Sequence, residues 1–276
     1  MSIPNFGSAD TAAGPSVSVV IPTLNEARNL PWVIRRIPDY VDEVVLVDGH
    51  SSDRTADVAR VLRPDVVVIT ELRPGKGAAI RAGFAEASGE IIVMLDADGS
   101  MDPQEIGWFV SPLQYDFDFV KGSRYVTGGG SEDLTRMRDA GNRALTALTN
   151  VVFRSNFSDL CYGYIALRRE CVDVLDLAAD GFEIETELVV HAVLAGLRIA
   201  EVPSTELCRI SGLSNLHAVR DGLRVVRTLG RAWAGWAAPS GGARPEAVRR
   251  VPYRYPQPNY PHIPTEPDSV LHPQVI

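Results

Sequence analysis

Cysteine is scarce in this chain. Its three cysteines, Cys161, Cys171 and Cys208, are an odd number without zinc-ligand spacing. A disulfide framework is thereby excluded, and reduced thiols in a cytoplasmic protein are expected. No apolar run reaches the roughly 18 residues of a membrane span, so no transmembrane helix is expected. The N-terminus lacks a basic stretch followed by an apolar core, and no secretory signal is expected there. Positive charge is in deficit: 27 Lys and Arg stand against 35 Asp and Glu, a formal net charge of -8. That balance excludes non-specific nucleic-acid binding and leaves at most a local basic patch.

What the chain does contain is a core. Of its 276 residues, 45% are hydrophobic, enough for one large α/β domain. Residues 1–15 are small and polar, and disorder is expected there. From about Pro239 the composition shifts to Pro-Ser-Gly-Gly and then to seven prolines between Pro252 and Pro273. So much proline rules out a helix and predicts an extended or disordered tail over 239–276, although Tyr253, Tyr255 and Tyr260 leave open a docking strip. The folded domain is therefore placed at 16–238.

Within it, short apolar runs at 17–22, 43–47, 66–70 and 90–95 read as buried strands. Helical spacing fills 27–37, 52–60 (with a Ser52 cap) and 76–87. The alternation predicts a Rossmann-like, mostly parallel sheet with helices on both faces, whose ligands sit at the carboxyl ends of the strands. Asn25, Asp48 and Asp96 all fall just past strand ends, on one rim.

Three segments on that rim carry chemistry. Asp96, Ala97 and Asp98 leave the strand at 90–95. A hard divalent cation takes oxygen ligands and bridges carboxylates to substrate phosphates, where it stabilises a departing diphosphate. A simple turn would account for the same residues. Pro22, Thr23, Leu24, Asn25 and Glu26 follow the first strand and offer polar groups to a base or ribose; a plain strand-to-helix loop is the alternative. Asp48, after the second strand, can accept hydrogen bonds from the same ligand.

Together these segments resemble the inverting family 2 glycosyltransferases of the GT-A fold, and the polyprenyl-phosphate sugar synthases in particular, over roughly 16–230. The entry motif Pro-x-x-Asn-Glu matches at 22–26 and the metal motif Asp-Ala-Asp at 96–98, while Gly49 replaces the second Asp of the family's Val-Asp-Asp. The resemblance implies Mg²⁺ or Mn²⁺ on Asp96 and Asp98, and a UDP- or GDP-sugar as donor. Gly75-Lys76-Gly77 matches the family's Gly-rich segment, so Lys76 is a candidate for nucleotide or phosphate. Arg124, in Gly-Ser-Arg, and Arg138, opening the next helix, are candidates for phosphate. Asp159 and Glu185 are both candidate bases, though an ionised phosphate acceptor needs none. Arg209 and Ser214 match the family's Arg-x-x-Gly-x-Ser-Lys, with Asn215 in place of Lys.

The function implied is transfer of a hexose from a nucleotide-sugar to a polyprenyl phosphate, with inversion. A soluble small-molecule or polymer acceptor, or a non-catalytic nucleotide-sugar binder, are the alternatives. A nucleotidyltransferase would put a Gly-rich phosphate loop where 22–26 stands. Residues 216–237 read as an amphipathic helix. Arg220, Arg224, Arg227 and Arg231 share one face beside an apolar stripe of Leu216, Val219, Leu223, Val226 and Trp233. That pattern suits the inner face of a membrane as a peripheral docking element; packing on the domain or in a homodimer would use the same stripe. A shorter helix at 142–153 presents Leu145, Leu148 and Val152 on one side.

Overall fold

The computed structural model describes residues 14–212, 218–236 and 248–250. β1 (Val17–Thr23), α1 (Leu30–Arg36), β2 (Glu43–Asp48), α2 (Thr55–Leu62), β3 (Val67–Thr70) and α3 (Lys76–Glu86) alternate along the first third. β4 (Ile91–Met94) leads through a 3-10 turn at Pro103–Glu105 to α4 (Ile106–Leu113). Next come β5 (Phe119–Ser123), β6 (Gly130–Ser131), α5 (Arg136–Phe153), β7 (Ile165–Arg168), α6 (Val172–Leu175) and α7 (Ile184–Leu194). The rest is β8 (Ile199–Pro203), β9 (Thr205–Glu206), α8 (Ala218–Trp236) and β10 (Arg249–Arg250).

Eight strands form one sheet in the order β10-β8-β5-β7-β4-β1-β2-β3. β1 runs parallel to β2 and β4, and β5 runs parallel to β8. Only β7 is antiparallel, wedged between β4 and β5. This is the mostly parallel α/β architecture expected. β2 and β3 build outward from one edge of β1, and β4 lies on the other. The loops leaving β1 and β4 therefore flank the crevice where ligands bind in such sheets.

The central strands are largely apolar and buried because both faces of the sheet are covered. Val17, Val19 and Ile21 of β1 point into one core with Val33 of α1, Ala59 of α2 and Phe109 of α4. Val20 points into the other, with Ile80 and Phe84 of α3 and Leu188 of α7. Each fully buried side chain of this size contributes roughly 1.5–3 kcal/mol. The three cysteines are free.

Several boundaries differ from expectation. Residues 27–29 form a turn, and α1 starts only at Leu30, ahead of Pro31. Ser52 is not a helix cap: its hydroxyl donates to Asn25 Oδ1 at 3.0 Å, and Asp53 Oδ1 accepts the Thr55 N–H instead. α5 begins six residues before 142, because Thr135 Oγ1 accepts the Arg138 N–H and caps it there. Leu145 and Val152 of α5 pack on the core, while Leu148 is exposed. Val248–Arg250, expected in the tail, instead extend the domain: Val248 is buried, and β10 pairs with the open edge of β8. Of the N-terminal stretch expected to be disordered, 1–15, residues 1–13 lie outside the described residues, as do 213–217 with Ser214, Asn215 and Leu216, and the tail at 237–247 and 251–276.

α8 packs through a third face that the sequence pattern did not single out. Val225, Leu229 and Ala232 are buried, whereas Leu223, Val226 and Trp233 are 64%, 46% and 51% exposed. α8 lies against α5 and α7. α5 is also apolar on its outside, with Met137, Leu148 and Val151 exposed.

Candidate active site

The rim residues are organised by backbone turns. β1 ends at Thr23, whose carbonyl accepts the Gly49 N–H at 2.8 Å, so the loops after β1 and β2 travel together. Asn25 adopts a left-handed backbone, φ 60°, and its Oδ1 accepts the Ser52 N–H at 2.8 Å. Asp48 accepts the Ser51 N–H at 3.2 Å and is nearly buried. Pro22 is half-buried, Thr23 is buried and Leu24 is 45% exposed at the mouth of this loop. Glu26 turns inward and accepts from Asn29 Nδ2 and Arg209 Nη1. Burial raises the Glu26 pKa, against the pull of Asn29 and Arg209.

β4 delivers the acidic pair beside that loop. Ala97 between them is buried and faces the core. The Lys76 ammonium lies 2.6 Å from Asp96 and 2.6 Å from Glu185. Asp98 Oδ2 is 2.7 Å from Arg209 Nη2, and its Oδ1 accepts from the Ser100 hydroxyl at 2.6 Å. The site thus holds four carboxylates shared by two cations: Lys76 bridges Asp96 and Glu185, and Arg209 bridges Asp98 and Glu26. Burial would lower the Lys76 pKa, but Asp96 and Glu185 outweigh it and hold the ammonium charged. Burial raises Asp96, with the Asp98 and Glu185 charges adding to it against Lys76.

Close packing places Lys76 and Glu185 together. Gly77 donates its N–H to the Asp180 carbonyl at 2.8 Å, and a Cβ there would collide with the Ala179 carbonyl. The start of α3 therefore seats directly on the loop before α7. Gly163, leading into β7, leaves room for the Glu185 carboxylate, which an added Cβ would overlap. Any side chain at either position would push the pair apart.

Arg124 and Asp159, joined to Arg138 through Glu206, form a second cluster. Arg124 Nε and Nη2 donate to the two Asp159 oxygens at 2.7 and 2.9 Å, and Asn142 Nδ2 adds a bond at 2.9 Å. Asp159 has no exposed surface, and the Arg124 side chain has 3%. Burial would raise Asp159, but the hydrogen bond and charge of Arg124, with Lys121, pull it below the usual carboxylate range. Asp159, one of the two candidate bases, is a fully enclosed carboxylate held bidentately by Arg124. Of the two candidate bases, only Glu185 reaches the rim. Arg124 likewise spends its donors inside the protein. Arg138, 33% exposed, pairs with Asp133 at 3.0 Å and Glu206 at 3.4 Å.

Sequence reasoning missed Glu206 and Glu105. Neither sits in a periodic pattern or a recognisable motif, and long-range packing alone brings them in. Glu105 accepts from the Ser204 hydroxyl and the Thr205 N–H, anchoring β9. Burial pushes its carboxyl up to about 7. An acid with a raised folded-state pKa stabilises the fold most at low pH. That contribution is lost as pH rises from the unfolded value of 4.5 through about 7. Glu105→Gln mimics the protonated form. Its melting temperature should exceed the wild type's near pH 8, by the equivalent of roughly 3 kcal/mol, and the difference should close below about pH 5. A pH-independent difference in thermal melts would contradict this.

Residues 18–175 match the sequence profile of Glycosyl transferase family 2. The chain belongs to this family. Over 209 residues this glycosyltransferase is 32% identical to a dolichol-phosphate mannosyltransferase of Pyrococcus furiosus, covering 72% of this chain and 59% of that one. It is 31% identical to a polyprenol monophosphomannose synthase of Mycolicibacterium smegmatis, covering 72% of this chain and 80% of that one. The chain thus spans about three fifths of the length of the Pyrococcus relative. Among solved structures, the glycosyltransferase resembles glucosyl-3-phosphoglycerate synthase of Mycobacterium tuberculosis in complex with Mn²⁺, UDP-glucose and phosphoglyceric acid. There the TM-score is 0.63 at 26% identity, covering 80% of this chain and 81% of that one. These matches bear out both the family resemblance and the GT-A fold.

Proposed function

We propose that this glycosyltransferase moves a hexose from a nucleotide-sugar to a polyprenyl phosphate, with inversion at the anomeric carbon. The observation that carries the proposal is the Asp96–Asp98 pair at the crevice between β1 and β4, with Lys76 and Arg209 poised on it. Base and ribose dock against Pro22, Thr23, Leu24, Asn25, Glu26 and Asp48. Lys76 and Arg209, which pair with Asp96 and Asp98, turn their charge to the diphosphate. Two hard carboxylates, with phosphate oxygens completing the shell, fit Mg²⁺ or Mn²⁺. Asp98, with Asp96, would hold the ion, which when bound supplies Lewis-acid stabilisation to the leaving diphosphate.

The acceptor assignment draws on the relatives, whose names state dolichol phosphate and polyprenol monophosphate chemistry. A phosphate monoester is largely ionised at neutral pH and attacks without a base. The soluble alternative has one observation in its favour: the solved neighbour binds phosphoglyceric acid, a phosphate-bearing small molecule. Membrane association separates the two readings. No helix among the described residues is long and apolar enough to cross a membrane. Exposed Leu223, Val226 and Trp233 beside Arg220, Arg224, Arg227 and Arg231 support docking onto an anionic surface, with the outer face of α5 alongside.

The test is a panel of UDP- and GDP-sugars with Mn²⁺, assayed for nucleoside diphosphate release with and without polyprenyl phosphate. Release that depends on the lipid supports the proposal; release with phosphorylated soluble acceptors alone overturns it. In cosedimentation with anionic phospholipid vesicles, Arg224→Glu with Arg227→Glu should weaken binding at least about tenfold, since each basic residue near such a surface contributes about 1 kcal/mol. Unchanged sedimentation would remove the membrane face.

A further inference from the structure

Glu206 occupies a position that the lipid-phosphate reading leaves unexplained. It closes β9, in the small second sheet with β6, and is 8% exposed. Its Oε2 accepts from Arg124 Nη1 at 2.9 Å and from Ser131 Oγ at 2.5 Å. Its Oε1 accepts from Arg138 Nη2 at 3.4 Å. Two guanidiniums and a hydroxyl converging on one small anion are the donor set of a phosphate site. Here the anion belongs to the chain itself.

The surroundings give this cluster a direction. Arg124 Nε and Nη2 are committed to Asp159, so Nη1 is the donor left to meet anything on the Glu206 side. Arg138, with 33% of its side chain exposed, opens the cluster to solvent. The segment after Glu206 runs straight to the donor site: Leu207 donates its N–H to the Ser100 carbonyl at 2.9 Å, and Arg209 pairs with Asp98. Beside Arg138, Met137 is 69% exposed at the start of the apolar outer face of α5. The cluster is therefore linked to the donor carboxylates through 206–209 and to the apolar outer face of α5 through Arg138.

We infer that Glu206 is an internal stand-in for the acceptor's phosphate and sets acceptor specificity by making phosphate binding a displacement. This rests on the lipid-phosphate reading above. Two arginines here face three carboxylates, Asp133, Asp159 and Glu206. An acceptor phosphate entering alongside Glu206 would set its charge directly against that carboxylate. It binds by taking over Arg138, and then Arg124 Nη1, as the Glu206 carboxylate withdraws. A terminal phosphate monoester, with two charges and three oxygens, offers both guanidiniums more than a carboxylate does. A neutral alcohol offers nothing for the exchange and leaves Glu206 in place.

The test uses the full-length protein and farnesyl phosphate, a short polyprenyl phosphate, with farnesol as the uncharged control. Glu206→Gln keeps the shape and one accepting oxygen but removes the charge. Calorimetric titration should give a Kd for farnesyl phosphate about tenfold lower than wild type, the scale of one removed like charge at partly screened range. Farnesol binding and the KM for nucleotide-sugar should not change, and Arg138→Gln added to Glu206→Gln should cancel the gain. Ser131→Ala, which frees one Glu206 oxygen without altering charge, gives a second reading and should also tighten farnesyl phosphate binding. Unchanged or weaker farnesyl phosphate binding in both variants, or equal tightening for farnesol, overturns the inference. If the wild type transfers sugar to no polyprenyl phosphate while Glu206→Gln still tightens farnesyl phosphate, the lipid reading falls and the displaced-anion site stands.

Discussion

Asp98→Ala is expected to lower sugar transfer on the order of a thousandfold, about 4 kcal/mol of transition-state stabilisation. The carboxylate does two things that alanine cannot. Its Oδ2 holds Arg209 at 2.7 Å, and its Oδ1 fixes Ser100 through the backbone N–H at 2.9 Å. Both groups face the place where the diphosphate develops charge in the proposed reaction. Asp98→Asn keeps the shape and the Ser100 contact, so a comparable loss there assigns the effect to charge. Asp98 is partly solvated and sits at a loop, so the melting temperature should change little. Activity is read as nucleoside diphosphate release at saturating donor; a variant that turns over like the wild type would remove Asp98 from the chemistry.

Asp159→Ala is expected to have the largest effect on stability. Its partner Arg124 stays buried, with 3% of its side chain exposed, and loses its bidentate acceptor. Removing one member of a buried ion pair costs about 3–5 kcal/mol, because the remaining charge is left without its partner. For a domain of this size that corresponds to a melting temperature roughly 6–20 °C lower. Asn142 Nδ2 and the Arg124 N–H also lose their acceptor. A catalytic base would behave differently: its replacement would lower kcat and leave the melt in place. A stable Asp159→Ala protein with a collapsed kcat would restore the base assignment that burial argues against.

The first half of the fold was legible because its strands are buried on both faces. Runs such as Val17–Thr23, Glu43–Asp48 and Ile91–Met94 are mostly apolar, and Asn25, Asp48 and Asp96 fall at or just past their ends. Local signals sufficed there, since β1, β2 and β3 are neighbours reached through single helices. Beyond Ser123 the pairings become distant in sequence. β7 slots antiparallel between β4 and β5, and β6 pairs with β9 across more than seventy residues. No local pattern encodes such partners. The site divides the same way. Lys76, Asp96, Asp98, Glu185 and Arg209 carry motif spacing and do meet on one rim. Asp159 and Arg124 carry motif spacing too, but whether a charged residue faces ligand or core depends on what packs over it, which Asn142 and Glu206 supply. α8 shows the limit of helical periodicity: Leu223, Val226 and Trp233 form a clear stripe, yet the buried contacts run through Val225, Leu229 and Ala232.

The central claim is that the carboxylates at the end of β4 hold a divalent ion together with the donor's diphosphate. The direct measurement is Mn²⁺ uptake followed by electron paramagnetic resonance, with UDP or GDP present or absent, in the wild type and Asp98→Asn. Uptake should appear with the preferred nucleotide, be weak without it, and disappear in Asp98→Asn. Equal uptake by the two proteins, nucleotide or not, would contradict a metal role for the pair.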